Sequence, residues 1–406
     1  MFSTLFCYKK ICYYNYGDDM KYLSNEKIEN KNVILRCDFN VPVKDGKISD
    51  TSKIDKSLKT INFLLENNNR VLILSHFGRV ISEDDKKNNS LKVVYEYLKT
   101  KLELVFIENN LNVEFYLNTS KCRCFLLENT RFTDVPEKKE SKNDLELAKY
   151  WASFADVFVV DAFGSLHRAH SSTAGISKFL PTYLGFLVEQ ELNGLKSLIN
   201  NENKDLVVIM GGAKISDKIP IMIELLKRCD KLIITGGILN TFLKVMGRNV
   251  GKSLVSVDEE VIDSVNKIIE TYSNKIVYNM DFSVLRDNHV LNVSGDEILD
   301  DDVIYDNFVD ISNLTGNEIN EIVFFNGTCG KTEDNNFKFG THKLLDDLVS
   351  SKAEVFVGGG DTASIVNELG FQDKITYLSS GGGATLEYVA YKSLKALDYI
   401  KQNEMK

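Results

Sequence analysis

The chain has 406 residues, which is enough for two or three domains. Its apolar share of 43% and charged share of 26% are those of a globular protein with an ample core. A net charge of −9 disfavours a nucleic-acid partner. No apolar run approaches the roughly 18 residues that a membrane-spanning helix needs, so we expect no membrane partner.

The seven cysteines are scattered and odd in number. This pattern is typical of reduced thiols in a reducing compartment, and it favours a cytoplasmic protein.

Residues 1–19 precede the first recognisable element. They contain two lysines, no arginine and several aromatic residues, which makes a poor signal or transit peptide. We expect a disordered extension there, with targeting to an organelle as the alternative.

From residue 32 onward, short apolar runs alternate with helical patterns. The predicted strands of the first half are 32–38, 70–75, 105–107, 124–128 and 156–161, with helical patterns such as 54–66 and 91–102 between them. Those of the second half are 206–210, 231–235, 275–279, 322–326, 355–359 and 375–378. This alternation predicts an α/β fold with a mostly parallel sheet in each half.

A predicted helix at 184–199 separates the two halves. It places seven apolar residues on one face: Leu184, Leu187, Val188, Leu192, Leu195, Leu198 and Ile199. A polar segment follows, and then a new strand. We therefore expect a first domain at 20–183, a connecting helix or hinge at 184–203, a second domain at 204–390 and a C-terminal segment at 391–406.

Cationic side chains follow the predicted strands of the first half. Three of the nine arginines and three of the five histidines lie there: Arg79, Arg131, Arg168, His76, His167 and His170. Open parallel sheets bind ligands beyond the carboxyl ends of their strands, and guanidinium groups match phosphate and carboxylate oxygens. The pattern predicts a site for a small polyanion. The alternative is that each arginine caps a helix or pairs with a carboxylate.

Glycine-rich turns follow the predicted strands of the second half. They are 211–212, 236–237, 327, 358–360 and 381–383. Bare backbone and the N–H groups of a following helix suit the approach of a phosphate, so the turns predict a nucleotide platform. Lys214 and Lys218 follow the first turn. Asp361 would be an unusual neighbour for a phosphate unless a divalent cation lay between them. Tight packing turns and solvated lysines are the alternative.

Seven motifs occur in the order and spacing of phosphoglycerate kinase, which the chain resembles from about residue 22 to 400. They are RCDFNVP at 36–42, SHFGR at 75–79, LENTRF at 127–132, DAFG at 161–164 with HRAHSS at 167–172, GGAK at 211–214, GGGDT at 358–362 and SGGGA at 380–384. The resemblance implies two doubly wound, Rossmann-like parallel-sheet lobes joined by a helix hinge. It also implies a monomer that moves a phosphoryl group between 1,3-bisphosphoglycerate and MgADP, with the C-terminal segment packing back on the first lobe.

The resemblance also implies roles for individual residues. Glycerate-binding residues would be Asp38, Phe39, Asn40, Lys53, His76, Phe77, Gly78, Arg79, Arg131 and Arg168. Nucleotide-binding residues would be Lys214, Lys218, Gly236, Gly237, Asn326, Glu333, Gly358, Gly359, Gly360, Asp361 and Thr362, with Asp361 holding Mg²⁺. Lys53, Lys214 and Arg168 would take part in catalysis. The partners would be small molecules alone, namely 3-phosphoglycerate and ATP or ADP.

The chain departs from the family at four places. Lys53 stands where the family has an arginine that reaches the transferring phosphoryl group, and lysine lacks the planar fork of arginine. Phe308 falls where a glycine lines the base pocket, beside Asp310-Ile311-Ser312-Asn313 in place of Asp-Ile-Gly-Pro. Thr328 and Val80 each replace a proline. An active kinase, a degenerate member that binds without efficient catalysis, and a kinase for another small carboxylate all stay open.

Overall fold

The computed structural model describes residues 20–201, 204–311 and 321–404. The expectations for residues 1–19, Ser312 and Asn313 lie outside the described residues. The strands are β1 (Asn32–Cys37), β2 (Val43–Lys44), β3 (Lys47–Ile48), β4 (Arg70–Leu74), β5 (Val105–Ile107), β6 (Cys124–Leu127), β7 (Val157–Asp161), β8 (Thr182–Leu184), β9 (Asp205–Met210), β10 (Lys231–Ile234), β11 (Ile276–Val277), β12 (Asp281–Arg286), β13 (His289–Ser294), β14 (Val303–Phe308), β15 (Glu321–Asn326), β16 (Glu354–Gly358) and β17 (Tyr377–Leu378).

Helices lie between most of these strands. They are α1 (Ser52–Glu66), α2 (Glu83–Asn88), α3 (Lys92–Leu98), α4 (Val113–Thr119), α5 (Leu145–Ala152), α6 (Phe186–Gly194), α7 (Lys196–Ile199), α8 (Ile219–Leu226), α9 (Gly236–Val245), α10 (Glu259–Tyr272), α11 (Phe339–Ser350), α12 (Gly360–Glu368), α13 (Gly383–Tyr391) and α14 (Lys395–Glu404).

Two parallel six-stranded sheets form the two lobes. The first has the order β5-β6-β4-β1-β7-β8, and the second has the order β11-β10-β9-β15-β16-β17. Their central strands are apolar on both faces because helices cover both sides of a doubly wound sheet. In β1, for example, every residue after Asn32 is buried. The predicted α/β fold with two doubly wound parallel sheets is therefore confirmed.

A third sheet of three antiparallel strands, β13-β12-β14, extends the second lobe. This sheet was not predicted from the sequence. Its edge strand β13 is exposed at five of its six positions, so it lacks the buried apolar run by which the other strands were found.

The predicted helix at 184–199 is present with different bounds. Leu184 ends strand β8, where its N–H donates to the Lys21 carbonyl, and α6 begins two residues later. A break at Leu195 separates α6 from α7. We call α6 the connecting helix. All seven of the predicted apolar residues are nevertheless buried, and most of them belong to one apolar cluster that runs from the first lobe into the second.

The C-terminal helix α14 contacts the first lobe. The Ala396 N–H donates to the Leu166 carbonyl at 3.0 Å, and Asn403 Nδ2 donates to Ser177 Oγ at 3.0 Å. Within the described residues, no helix is long and apolar enough to span a membrane.

Gly194, at the end of the connecting helix, lies directly under the ring of Tyr377 from β17. A Cβ at Gly194 would lie 2.2 Å from Cε2 of that ring. We predict that Gly194→Ala lowers the free energy of unfolding by about 1–3 kcal/mol, because the ring must shift in a packed joint between the lobes.

The matched control is Gly360→Ala, because a Cβ there meets no atom within 4 Å. We expect its unfolding free energy in urea to stay within about 0.5 kcal/mol of that of the unaltered chain. Equal stability of the two variants would show that the Tyr377 ring does not restrict Gly194.

Candidate active site

A cavity of about 360 Å³ opens at the carboxyl ends of the strands of the first lobe. Its lining residues come from the loops after β1, β4, β6 and β7, from α1, and from the turn that opens α13 in the second lobe. They are Asp38, Asn40, Lys53, His76, Gly78, Arg79, Arg131, Gly164, Ser165, His167, Arg168, His170, Gly381, Gly382 and Gly383. The cavity therefore lies where the two lobes meet.

Eight of the ten residues predicted to bind the glycerate line this cavity. Phe39 and Phe77 do not, since both are buried in the apolar cluster of the first lobe. Successive side chains of an extended segment point in opposite directions, so Phe39 faces the core while Asp38 and Asn40 face the cavity. The side chains of Phe39 and Phe77 therefore do not line the cavity, and a role of these two residues in binding stays a prediction.

Lys53 forms an ion pair with Asp38, with 3.1 Å between Lys53 Nζ and Asp38 Oδ2. Burial alone would raise the pKa of Asp38, but Lys53, His76 and Arg36 together lower it below its ordinary value. Gly164 completes this wall, since a Cβ there would lie 2.7 Å from Asp38 Oδ2. Lys53 thus holds its ammonium at the cavity, with about a third of the side chain exposed.

Arg36 lies wholly buried beneath the cavity and orients His76. Its Nε donates to Ser172 Oγ at 2.8 Å, and its Nη2 lies 3.1 Å from His76 Nδ1. Burial and the Arg36 charge hold the pKa of His76 well below its ordinary value. A guanidinium only donates, so Nδ1 of the neutral ring accepts and the proton resides on Nε2. The ring therefore offers an N–H donor to a bound anion.

A buried carboxylate, that of Glu140, supports Arg36 through Ser172. Glu140 accepts hydrogen bonds from the N–H and the hydroxyl of Ser172, the residue that also receives the Arg36 Nε–H. Burial raises the pKa of Glu140, and Arg36 opposes that rise. Arg36, Glu140 and Ser172 were not among the site residues predicted from the sequence. An arginine inside an otherwise apolar strand was the available signal for Arg36.

The remaining cations concentrate positive charge in the cavity. Arg131 donates to the Gly78 carbonyl at 2.9 Å, and its pKa is lowered by burial and by Arg168. Burial, reinforced by neighbouring arginines, lowers the pKa of His167 to about 4 and that of His170 to about 3. Among the described residues that line the cavity, Asp38 is the only carboxylate. The cavity is therefore suited to an anion.

In the second lobe, the predicted glycine turns lie together at the carboxyl ends of β9, β10, β15 and β16. The Gly211 N–H donates to the Asn326 carbonyl at 2.9 Å, and the Gly212 N–H donates to the Thr328 carbonyl at 3.0 Å. Gly212 and Gly359 have φ values of +104° and +101°, which favour glycine. A ligand can thus come close to the backbone at this platform.

Two polar residues support the platform from below. Asn307, which the sequence analysis missed, accepts from the Thr235 hydroxyl at 2.6 Å and from the Gly236 N–H at 2.8 Å. Thr362, predicted to contact phosphate, is wholly buried, and its hydroxyl accepts from the Gly327 N–H at 2.9 Å. The Thr362 hydroxyl therefore joins two turns of the platform.

The predicted charged residues of the platform differ in exposure. Lys214 and Glu333 are exposed, while Lys218 is half-buried and donates to the Gly211 carbonyl. Burial lowers the pKa of Lys218, and the nearby Asp361 opposes that change. Asp361 is exposed in the first turn of α12. None of these four lines the cavity of the first lobe, so the predicted residues form two separate groups.

A family model described as phosphoglycerate kinase matches residues 23–392. The chain belongs to the phosphoglycerate kinase family. The phosphoglycerate kinases of Macrococcus caseolyticus and Listeria innocua are 40% and 39% identical to it over 392 residues, which cover 94% of this chain and 98% of each relative.

Solved structures of phosphoglycerate kinases are also similar to this chain. The phosphoglycerate kinase of Coxiella burnetii has a TM-score of 0.77 at 33% identity, and that of Pyrococcus horikoshii has a TM-score of 0.81 at 25% identity. Each match covers 95% of this chain and 100% of the other chain. The matches support the function of a glycolytic phosphoglycerate kinase, with phosphoglycerate and a nucleotide as small-molecule substrates, and none of them favours a degenerate member.

The buried, neutral His170 of the cavity predicts a pH dependence of stability. The folded-state pKa of His170 is about 3, whereas an unfolded histidine titrates near 6.5. The unfolded state therefore binds the extra proton, so this contribution is fully present above about pH 6.5 and is lost as the pH falls toward 3. We predict that His170→Gln makes the fall shallower by up to about 1.4 kcal/mol per pH unit.

Urea unfolding between pH 7 and pH 4.5 measures this slope. His289→Gln, on the exposed hairpin of the second lobe, is the control and should leave the slope unchanged. An identical slope in the His170→Gln variant and the unaltered chain would show that His170 accepts a proton equally in the folded and unfolded states.

Proposed function

We propose that this chain moves a phosphoryl group between 1,3-bisphosphoglycerate with MgADP and 3-phosphoglycerate with MgATP, the acceptor in the reverse direction being a carboxyl group. The observation that carries the proposal is the cavity of the first lobe. Four lysine and arginine side chains and a single carboxylate line it, and a glycine turn of the second lobe closes one side. The anionic substrate binds there, and the nucleotide binds on the glycine platform.

The proposed reaction requires little proton transfer by the protein. A carboxylate nucleophile carries no proton, so no general base is required. Catalysis then rests on alignment and on neutralising the charge of the transferring group. Arg79, Arg131 and Arg168 bind carboxylate and phosphate oxygens, and His76 donates from Nε2. Asp38 and Asn40 bind the hydroxyl and carboxylate end of the glycerate.

The transferring group needs cations from both lobes. Lys53 supplies one from α1, and Lys214 supplies one from the platform. Because these residues belong to the two separate groups, the lobes must close for both to act on one phosphoryl group. Phe308 limits the space beside the base. Its half-buried ring contacts the exposed ring of Phe339, with 5.9 Å between the two ring centroids.

We place the chain in the cytoplasm as a monomer.

Asp361 is the proposed protein ligand of Mg²⁺. Among the described residues, no three histidine, cysteine, aspartate or glutamate side chains are grouped to hold a metal. A single exposed carboxylate fits Mg²⁺ that arrives with a nucleotide, because this ion is held by one or two carboxylates together with substrate phosphates and water. When bound, Mg²⁺ neutralises phosphate charge. Lys218 and the N–H groups that open α12 bind the phosphates beside it.

The first prediction for this function concerns Lys53. Arginine restores a planar fork toward the phosphoryl group while keeping the charge that pairs with Asp38. We expect Lys53→Arg to raise kcat severalfold in a coupled assay with 3-phosphoglycerate and MgATP, and Lys53→Met to lower kcat by about 10²–10³. The unaltered chain should turn over.

Three results would count against parts of this account. A Lys53→Arg variant no faster than the unaltered chain would show that lysine is already sufficient or does not reach the phosphoryl group. A Lys53→Met variant with unchanged kcat would remove Lys53 from catalysis. No turnover by the unaltered chain, with both ligands still bound in calorimetry, would favour the degenerate alternative.

The second prediction separates the two binding groups. Arg168→Ala removes a cation from the cavity of the first lobe, so the Kd for 3-phosphoglycerate should rise about tenfold or more while the Kd for MgADP stays within about twofold. Lys214→Ala removes a cation from the platform and serves as the matched opposite case. Calorimetry measures both constants. Equal losses of both ligands in either variant would contradict the division of the ligands between the lobes.

A further inference from the structure

The last residue of β7 caps the connecting helix from inside the first lobe. Asp161 is wholly buried, and its Oδ1 accepts hydrogen bonds from the N–H groups of Leu187 at 2.8 Å and Val188 at 3.3 Å. A carboxylate in this position satisfies two of the free N–H groups at the start of the helix and complements the helix dipole. Asp161 has no part in the substrate binding or the chemistry proposed above.

The approach of this carboxylate constrains its surroundings. A Cβ at Gly185, directly before the helix, would lie 2.4–2.6 Å from the carboxyl group and Cβ of Asp161. The Thr60 hydroxyl of α1 accepts from the Phe186 N–H at 3.3 Å, so the first turn of the helix is held at three N–H groups. The start of the connecting helix is thus fixed to the sheet that carries the cavity.

A second buried carboxylate fixes the far part of the same helix to the second lobe. Glu191 accepts from the Ser379 hydroxyl at 2.7 Å, from the Ser380 N–H at 2.9 Å and from the Ser380 hydroxyl at 2.6 Å. Ser380 is followed directly by the glycine turn 381–383, which borders the cavity. The helix therefore has one carboxylate attachment to each lobe.

The strand end that bears Asp161 also leads into the cavity. Asp161 is followed by Ala162, Phe163 and Gly164, and Gly164 lines the cavity beside Asp38. The Phe163 ring lies against Gly381, where a Cβ would be 2.4 Å from Cδ1 of the ring. One strand end thus determines both the cavity wall and the start of the helix that reaches the second lobe.

We propose that Asp161 is a positioning residue that aligns the two lobes by fixing the start of the connecting helix against the cavity strand. The inference rests on the proposed function. The charged side chains proposed to bind the glycerate all belong to the first lobe, and those proposed to bind the nucleotide belong to the second, although the glycine turn 381–383 borders the cavity. A loosened helix should therefore change each separate affinity little. Phosphoryl transfer needs the glycerate-binding and nucleotide-binding residues to be aligned with each other. A misplacement of about 1 Å can lower the rate about 10²-fold. Loss of the cap therefore lowers kcat without weakening binding.

The test is Asp161→Ala, compared with Asp161→Asn and with a matched helix cap elsewhere. Asp144 is that control, because its side chain accepts from the Leu147 N–H at 2.8 Å and caps α5, away from the connecting helix. We expect Asp161→Ala to lower kcat at least about tenfold and to leave the Kd values for 3-phosphoglycerate and MgADP within about twofold. Asp161→Asn should retain most of kcat, since its amide oxygen still accepts, and Asp144→Ala should retain kcat.

A structural role alone would lower stability in both alanine variants and leave kcat per folded molecule unchanged. That result would overturn the proposal, as would equal losses of kcat in the Asp161→Ala and Asp144→Ala variants. If Asp161→Ala does not fold, Gly185→Ala displaces the same carboxylate and is held to the same expectation.

Failure of the proposed function is distinguishable from failure of this inference. Turnover by the unaltered chain tests the function, whereas the ratio between variant and unaltered chain tests Asp161. Small-angle X-ray scattering reads the lobe alignment without turnover. Asp161→Ala should broaden the distribution of interatomic distances, whereas Asp144→Ala should not. An unchanged distribution in Asp161→Ala would overturn the proposal even in a catalytically inactive chain.

Discussion

The burial of positive charge at the carboxyl ends of parallel strands is the constraint on which the site depends. Cations brought together without counter-charges repel one another and lose solvation. The first lobe meets this cost with two acidic groups at different depths. Glu140 supports Arg36 through Ser172 below the cavity, and Asp38 pairs with Lys53 at its wall. Among the described residues that line the cavity, Arg79, Arg131 and Arg168 have no further carboxylate beside them.

The same electrostatics explain why the histidines are neutral. Burial next to arginines lowers the pKa of His76, His167 and His170, so none adds a further charge at neutral pH. Arg36 gains a second role from this, because its contact with Nδ1 leaves the proton of His76 on Nε2. The cavity thus combines fixed guanidinium charge with an oriented neutral donor.

Much of the fold could be predicted from the sequence, because buried parallel strands are continuous apolar runs and the turns after them carry the polar residues. The limits of that reasoning are also physical. Arg36 interrupts such a run without ending the strand, since Ser172 and Cys37 satisfy its guanidinium. Strand β13 was missed because nearly all of it is exposed. Leu184 was placed in the helix because apolar spacing cannot show that it pairs in the sheet.

The sequence predicted which residues belong to the site better than it predicted the contacts that they make. Motif order identified eight residues that line the cavity, yet it assigned the same importance to Phe39 and Phe77, which are turned into the core. It gave Thr362 a ligand role, which stays a prediction, and did not show that its hydroxyl accepts from the Gly327 N–H. It included Asp161 in the DAFG motif without assigning it a role, and it gave no indication of Glu140 or Asn307, because the partners of these residues are backbone groups and side chains distant in the sequence. Those contacts exist only once the chain has folded.

A crystal structure of the chain with 3-phosphoglycerate and MgADP tests the central claim most directly. We expect the glycerate in the first-lobe cavity, with its oxygens on Arg79, Arg131, Arg168 and His76. The nucleotide should lie on the glycine platform, with Mg²⁺ at Asp361 and the connecting helix still capped by Asp161. Phosphoglycerate bound outside that cavity, or both ligands on one lobe, would contradict the account.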